Sequence, residues 1–414
     1  MDRTPPNQVR KRRVFYIPGY DPFHPRRYRE LYRREGADQA KISGYSLDLK
    51  PKTVGDTFGW HVAGDMDGAQ VSAEFDVLLW SDIVRASMAG TIPGTYAQLV
   101  RTAWTYFSTG ALWRLMRLRK GPVIAALYPV GMLLGQLALA VALAALVRAG
   151  LARGIDAVMP SAGVAGNALA LVAGLGAAVA ALRWFKAKDN KLFAYYLMHD
   201  YAYSAQSRGA YPPELEQRMA QFGDAIAAAL DTDVDEVLVV GHSSGAHLAV
   251  SILSDLIRAG RVPPKGPHLA FLSLGQVVPM VSFLPQAHRL RADLQFLSTR
   301  DELVWVDVSA PGDGCAFALC DPVAVSGVAT KGKRWPLVFS AAFTQSLSAA
   351  RWKELRWRFF RLHFQYLCAF DRPRDYDYFQ ITAGPVTLKD RYAGRPASRS
   401  RIETPVSKYA SVAA

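Results

Sequence analysis

The sequence predicts an α/β protein with a mainly parallel sheet and flanking helices, interrupted by a two-helix apolar hairpin. Three observations lead there. Strand-like and helix-like runs alternate on both sides of residue 190. "VLVVGHSSGAHLAV" (237–250) sets an aliphatic run, a small-residue turn and an amphipathic continuation in immediate succession. "VIAALYPVGMLLGQLALAVALAALV" (123–147) carries no charge and is long enough to cross a bilayer.

Residues 1–13, "MDRTPPNQVRKRR", have the charge of a leader but no apolar stretch behind them, so they are expected to be a basic disordered arm rather than a cleaved signal. "RVFYIPGY" (13–20) reads as a strand ending in a Pro-Gly turn, and 26–40 as a basic helix. Strands follow at 44–50, 58–64 and 69–84, the last two joined by the turn "GDMDG". One helix is expected over 95–119, others over 190–208 and 213–230, with Pro212 and Pro213 as punctuation. Further strands fall at 236–240, 269–274 and 303–308, and a helix rich in Arg and aromatics at 347–370. The organisation is therefore an arm (1–13), a sheet domain in two parts (14–120 and 189–390), an inserted hairpin (121–188) and a polar, mobile tail (391–414).

The chain has 414 residues and a formal net charge of +14, with half of its residues hydrophobic. That balance suits an anionic partner. No helix-turn-helix, zinc-finger or single-strand-binding signature accompanies the basic arm, so nucleic acid is not expected as the partner and anionic lipid is. Cys315, Cys320 and Cys368 show no metal-ligand spacing and read as free thiols in a reducing compartment.

A second uncharged stretch, 162–182, follows the loop 148–161. Arg114, Arg117, Arg119 and Lys120 precede the hairpin, and Arg183, Lys186, Lys188 and Lys191 follow it. The loop offers only Arg148 and Arg153 against Asp156. Positive charge at the outer ends predicts a two-span protein of a cell inner membrane with both termini and the sheet domain cytoplasmic. A pair of buried core helices is the soluble alternative. Gly131 and Gly135 form one small-residue face, and Ala170, Gly174 and Ala178 another; either could bring the two spans together or make a homodimer contact. In the helix over 95–119, Trp104, Tyr106, Phe107 and Trp113 suit either an interfacial helix or an ordinary crossover helix that buries them.

The turn Gly241-His242-Ser243-Ser244-Gly245, between a strand and a helix that Gly260 can end, has the small residues a sharp turn needs to expose a serine hydroxyl at a helix N-terminus. At these residues the chain resembles the α/β-hydrolase superfamily, in its lipase and esterase branch. The resemblance implies a serine hydrolase acting on carboxylic esters, with Ser243 as nucleophile and no cofactor or metal. It also implies the order Ser, then Asp or Glu, then His. His268 or His288 would leave only Asp255 as acid, and His247 none, which makes His363 in "RLHFQYL" the base; its H-x-x-Y spacing is similar to the stretch around the catalytic histidine of fungal-type lipases. Asp313, in Pro-Gly-Asp-Gly after the strand 303–308, fits the acid's place best; Asp321 is the second choice and Asp307 the third. The oxyanion hole would draw on the amide of Ser244 and, from the turn after the first strand, on Gly19 or Tyr20, although the His-Gly pattern of many lipases is missing there. The expected substrate is lipid-like. The competing expectations are a non-catalytic membrane scaffold of the same fold and an acyltransferase using the same triad.

Overall fold

A computed structural model describes residues 8–53, 55 and 57–413. The chain forms two compact units: Met1–Ala86, Tyr106–Val123 and Ser207–Ala414 make the first, and Ser87–Thr105 with Ile124–Gln206 the second.

An eight-stranded, mixed and mostly parallel sheet organises the first unit. Its strands are β1 (Lys11–Ile17), β2 (Ser46–Pro51), β3 (Gly59–Met66), β4 (Ala69–Val77), β5 (Glu236–His242), β6 (His268–Leu274), β7 (Leu303–Ser309) and β8 (Leu337–Ser340), in the order β2-β3-β4-β1-β5-β6-β7-β8. Only β3 runs against the rest. Asp67 and Gly68 explain why: both have positive φ, 55° and 76°, the two-residue turn that folds a twisted hairpin back on itself. The central strands are aliphatic and buried on both faces, as crossover helices require; β5 is buried along its whole length.

β1 and β5 lie side by side and parallel, with Ile17 opposite Gly241. From β1 the chain proceeds towards β2, β3 and β4 on one side, and from β5 towards β6, β7 and β8 on the other. The two connections part at the carboxyl ends of these strands, which makes this end of β1 and β5 a topological switch point. The Pro18–Tyr20 turn and the Ser243 turn border it.

Several elements differ from expectation. The strand expected over 69–84 stops at Val77; Leu78 and Trp80 are buried without being strand, and a helix, α2 (Ser81–Ser87), follows α1 (Arg26–Ser43). Trp80 Nε1 donates to Pro18 O at 3.0 Å, which pins the turn after β1. The helix expected over 95–119 is two, α3 (Ile92–Ser108) and α4 (Ala111–Leu118), parted at Gly110, whose φ is 72°. Of its four aromatics only Tyr106 is buried; Trp104, Phe107 and Trp113 are exposed by 69, 58 and 56%. The helix expected over 347–370 is broken into Ala349–Leu355 and Phe359–His363, because Arg358 leaves the helical region. The strand β8 was not anticipated.

Of the basic arm, residues 1–7 lie outside the described residues. From Gln8 onward it is placed: Gln8 bridges Val386, and Arg12 is fully buried, donating to Glu236 at 2.6 Å and to Gly384 O and Val386 O. Among its described residues the tail after 391 has no helix or strand of its own, yet Asp321 N donates to Ile402 O and Arg291 Nε to Ser411 O.

Two helices are long and apolar enough to cross a membrane, and from Ile124 onward both belong to the second unit. They are α5 (Lys120–Val158), with mean hydropathy 2.3 in its most apolar window, and α6 (Gly163–Ala187), which together with the turn before it reaches 1.9. Most of each such window is exposed, unlike the core helix of a soluble domain. At 39 residues α5 runs about 58 Å, well beyond a hydrocarbon core of about 30 Å. The expected loop 148–161 is therefore mostly helix, and only Met159–Ala162 separates the two. Of the small-residue faces, the second meets α5: a Cβ on Gly174 would stand 2.6 Å from Ala144 O. Gly131 and Gly135 have nothing within 4 Å of that position.

Candidate active site

Ser243 occupies the tip of the turn between β5 and the helix Gly245–Arg258, with φ 56°. A non-glycine residue in the left-handed region costs about 1–3 kcal/mol, so the turn is held by its surroundings. Those surroundings are glycines. A Cβ on Gly245 would stand 2.1 Å from Ile17 O, and one on Gly241 would stand 2.8 Å from Ala246 Cα. Ser243 N donates to Leu274 O at 2.9 Å. Both glycines of the pentapeptide are thus required by close backbone approach, and the serine between them is only partly buried.

Gly19 lies directly against this turn. Its missing Cβ would be 3.1 Å from Ser243 Cβ and 3.4 Å from Ser243 Oγ. The main chain of 18–20 therefore approaches the serine so closely that a side chain at Gly19 would crowd Ser243. Tyr20 is buried, its ring edge-on to Trp80. No backbone acceptor takes the Ser244 N–H among the described residues, and Ser244 stands at the N-terminus of a 14-residue helix. An amide so placed is suited to receive developing negative charge.

His363 and Asp313, fifty residues apart, meet in the buried interior at the carboxyl end of the sheet. His363 Nδ1 and Asp313 Oδ2 are 2.8 Å apart. Burial would raise the Asp313 carboxyl, but the neighbouring imidazole and three hydrogen bonds outweigh it and hold it below its ordinary value. These bonds come from His363, from Cys315 N to Oδ1 at 2.8 Å, and from Tyr366 Oη to Oδ2 at 3.0 Å. The carboxylate is thus ionised and can only accept, so His363 Nδ1 carries the proton. Nε2 is buried and has no hydrogen-bond partner among the described residues.

Two further residues fix this pair. Tyr366 Oη accepts from Ala310 N at 3.0 Å while donating to Asp313, so one phenol ties that carboxylate to the end of β7. His242 lies beneath the His363 ring, ring centroids 4.8 Å apart, with Nε2 3.0 Å from His363 O. A carbonyl only accepts, so His242 Nε2 bears hydrogen. Burial, followed by the nearby His363, brings its pKa down to about 3, and it stays neutral in ordinary buffers. Gly275, φ 52°, leaves room for both rings: a Cβ there would be 2.6 Å from Tyr366 and 3.1 Å from His363 Cε1. Leu274, its neighbour, is the residue that holds Ser243 N, so serine and imidazole border the same short stretch of chain.

Neither alternative acid reaches His363. Asp321 caps the short helix Pro322–Val325 through Val323 N and Ala324 N and pairs with Lys333 at 2.5 Å. Asp307 lies inside β7, where it accepts from Ser273 Oγ at 2.7 Å. Its Oδ1 has no hydrogen-bond partner among the described residues, and burial pushes its pKa up to about 7. Between the ordinary carboxyl value of 3.8 and about 7 the folded chain then holds a proton that the unfolded chain releases, so stability falls as pH rises through that window. Asp307→Asn removes this loss. In detergent its melting temperature should exceed that of the parent by several degrees at pH 8 and by less at pH 5, as thermal unfolding would show.

Asp313, Cys315 and His363 present ligand atoms within 4.8 Å of one another, the one group of metal-binding side chains among the described residues. Both Asp313 oxygens, however, already accept hydrogen bonds, Oδ1 from Cys315 N and Oδ2 from His363 Nδ1 and Tyr366 Oη. Cys320 and Cys368 are buried free thiols, and Cys315 is partly exposed.

Together these elements define an α/β protein with a mostly parallel sheet, two apolar helices and a serine, histidine and aspartate at the carboxyl end of that sheet. No protein-family model, curated protein or solved structure matches the chain.

Proposed function

We propose that the chain is a membrane-anchored serine hydrolase that cleaves carboxylic esters, with a lipid-like substrate, on an α/β-hydrolase-like fold. The observation that carries the reading is the buried Asp313–His363 pair: Nδ1 is committed to an ionised carboxylate and Nε2 is left without a partner among the described residues, while a serine held at φ 56° is bonded to Leu274, next in the chain to the Gly275 on which His363 packs. A purely structural histidine at that depth would be expected to satisfy both nitrogens.

Ser243 Oγ attacks the ester carbonyl carbon while His363 Nε2 takes its proton; Asp313 stabilises the imidazolium that results. The Ser244 amide and one from Gly19 or Tyr20 receive the oxyanion. Collapse of the tetrahedral adduct expels the alcohol, which recovers the proton from His363, and water repeats the sequence in reverse to release the acid. No Ser243–His363 hydrogen bond is formed at rest; such contacts commonly tighten only with substrate in place.

A fluorophosphonate probe tests the reading. The full chain in detergent should be labelled on the peptide containing Ser243, and heat-denatured protein should not. A folded chain that takes no label would be a scaffold.

The basic flanks of α5 and α6 support an orientation with both termini cytoplasmic. With Cys315 changed to serine, a cysteine placed at Ser161 should react with an impermeant thiol reagent from outside a bacterial inner membrane. One placed at Thr4 should stay protected. The reverse pattern would invert the topology.

A further inference from the structure

The segment "ARWKELRWRFFR" (350–361) has no role in the chemistry above, yet it exposes a cluster of aromatic side chains on the sheet unit. Trp357 is 73% exposed, Phe359 44% and Phe360 37%. Five basic side chains accompany them, against the single acid Glu354. Exposed aromatics are an unfavourable surface for water, and a cationic fringe on such a patch gives it a definite complement. Beside it opens a cleft of about 310 Å³ whose wall includes Arg27, Arg34, Arg351, Arg361 and Phe360, with Glu35 as its one acid.

The place of this segment in the fold adds a second argument. Gly312 and Gly314 flank Asp313. A Cβ on Gly312 would be 2.6 Å from Trp352, and one on Gly314 would be 2.9 Å from Phe359. Gly121, in the first turn of α5 and within the same compact unit, approaches Gly314 so closely that its Cβ would stand 3.3 Å from Gly314 Cα. The aromatic–basic segment and the start of the long apolar helix therefore meet on one loop.

We propose that residues 350–361 are a docking surface for an anionic lipid bilayer, with Trp357, Phe359 and Phe360 entering the interface and the arginine-lined cleft receiving lipid phosphate. This rests on the reading of α5 and α6 as membrane spans and is independent of the hydrolase reading. A protein partner would leave the coincidence with the start of α5 unexplained, whereas a bilayer accounts for aromatics, cations and position together.

Hydrogen exchange of the full chain in nanodiscs tests it. In phosphatidylcholine discs containing phosphatidylglycerol, exchange over 350–361 should be slower by roughly tenfold than in phosphatidylcholine alone, as expected when several basic side chains engage an anionic surface, and salt should reverse the effect. The triple variant Trp357→Ser, Arg358→Gln, Arg361→Gln should lose the difference while the helix Gly245–Arg258 exchanges as before. Equal exchange in both lipids, with 124–147 protected in each, would overturn the docking surface and leave the spans standing. Unprotected 124–147 would overturn the spans and the proposal with them. Protection of 350–361 by inorganic phosphate in phosphatidylcholine discs, equal to that given by phosphatidylglycerol, would make the cleft a site for soluble anions and overturn the proposal.

Discussion

Replacing Ser243 by alanine should lower ester turnover by on the order of a millionfold in kcat, the loss found when the serine of a comparable triad is removed. The size follows from the chemistry: Oγ is the only atom in the scheme that bonds to the acyl group, and nothing adjacent can take its place. Ser244, next in sequence, contributes its amide rather than its hydroxyl, so Ser244→Ala should retain most activity. The fold should survive Ser243→Ala. Alanine at φ 56° carries much the same backbone strain as serine, and the bond that fixes this residue, Ser243 N to Leu274 O, belongs to the main chain. Turnover of a short soluble ester and fluorophosphonate labelling should disappear together while the melting temperature stays within a degree or two. Turnover near the parent level would remove the enzyme reading in this form.

What could be read before folding, and what could not, divides by the range of the forces involved. The turn 241–245 was legible because its requirements are local: glycines, a strand before and an amphipathic helix after. So was the hairpin at Asp67 and Gly68. The break between Ala349–Leu355 and Phe359–His363 was not, since no proline or glycine marks it; Phe359 packs over Gly314, some 45 positions earlier, and that contact goes with a bend a continuous helical pattern hides. The run through Leu78 and Trp80 imitates a strand because buried apolar residues look alike in either state; Ser81 and Asp82, good residues for starting a helix, were the signal that it ends. β8 has four residues, too few for a pattern.

The site shows the same division. Asp313 and His363 could be chosen from chain order and from the loop after a late strand, and the chain does bring those two together. Tyr366 and His242 were both in view, in the H-x-x-Y spacing and in the pentapeptide itself. Their positioning roles depend on Ala310, Gly275 and the His363 carbonyl, which only the folded sheet places beside them. Close approach of Gly19 to Ser243 likewise follows from β1 lying next to β5, a pairing between segments more than 200 residues apart. Sequence offered Gly19 or Tyr20 as a second oxyanion donor without choosing between them, and gave no sign of how near that turn comes to the serine.

The second large effect separates the first two of the three candidate aspartates. Asp313→Asn should cost on the order of 10⁴ in kcat, as in a comparable triad whose orienting carboxylate became an amide. The reason lies in who donates. Asp313 Oδ2 accepts both from His363 Nδ1 and from Tyr366 Oη. An asparagine that turns its NH₂ towards the imidazole must find a lone pair on Nδ1, which moves the ring proton to Nε2, the atom that has to receive hydrogen from Ser243. It also removes the negative charge that stabilises the imidazolium. Asp321→Asn meets none of this. Asparagine caps a helix about as well as aspartate, so Val323 N and Ala324 N keep their acceptor, and only the ion pair with Lys333 is lost. Because that pair is largely buried, the expected penalty is in melting temperature, with kcat close to that of the parent. Measuring both quantities for both variants on a short soluble ester settles the assignment: activity lost with stability kept identifies the residue that orients the base. Should Asp321→Asn carry the loss in kcat and Asp313→Asn spare it, the 2.8 Å contact at Nδ1 would be no part of catalysis, and the acid would have to be sought on the Lys333 side of the sheet.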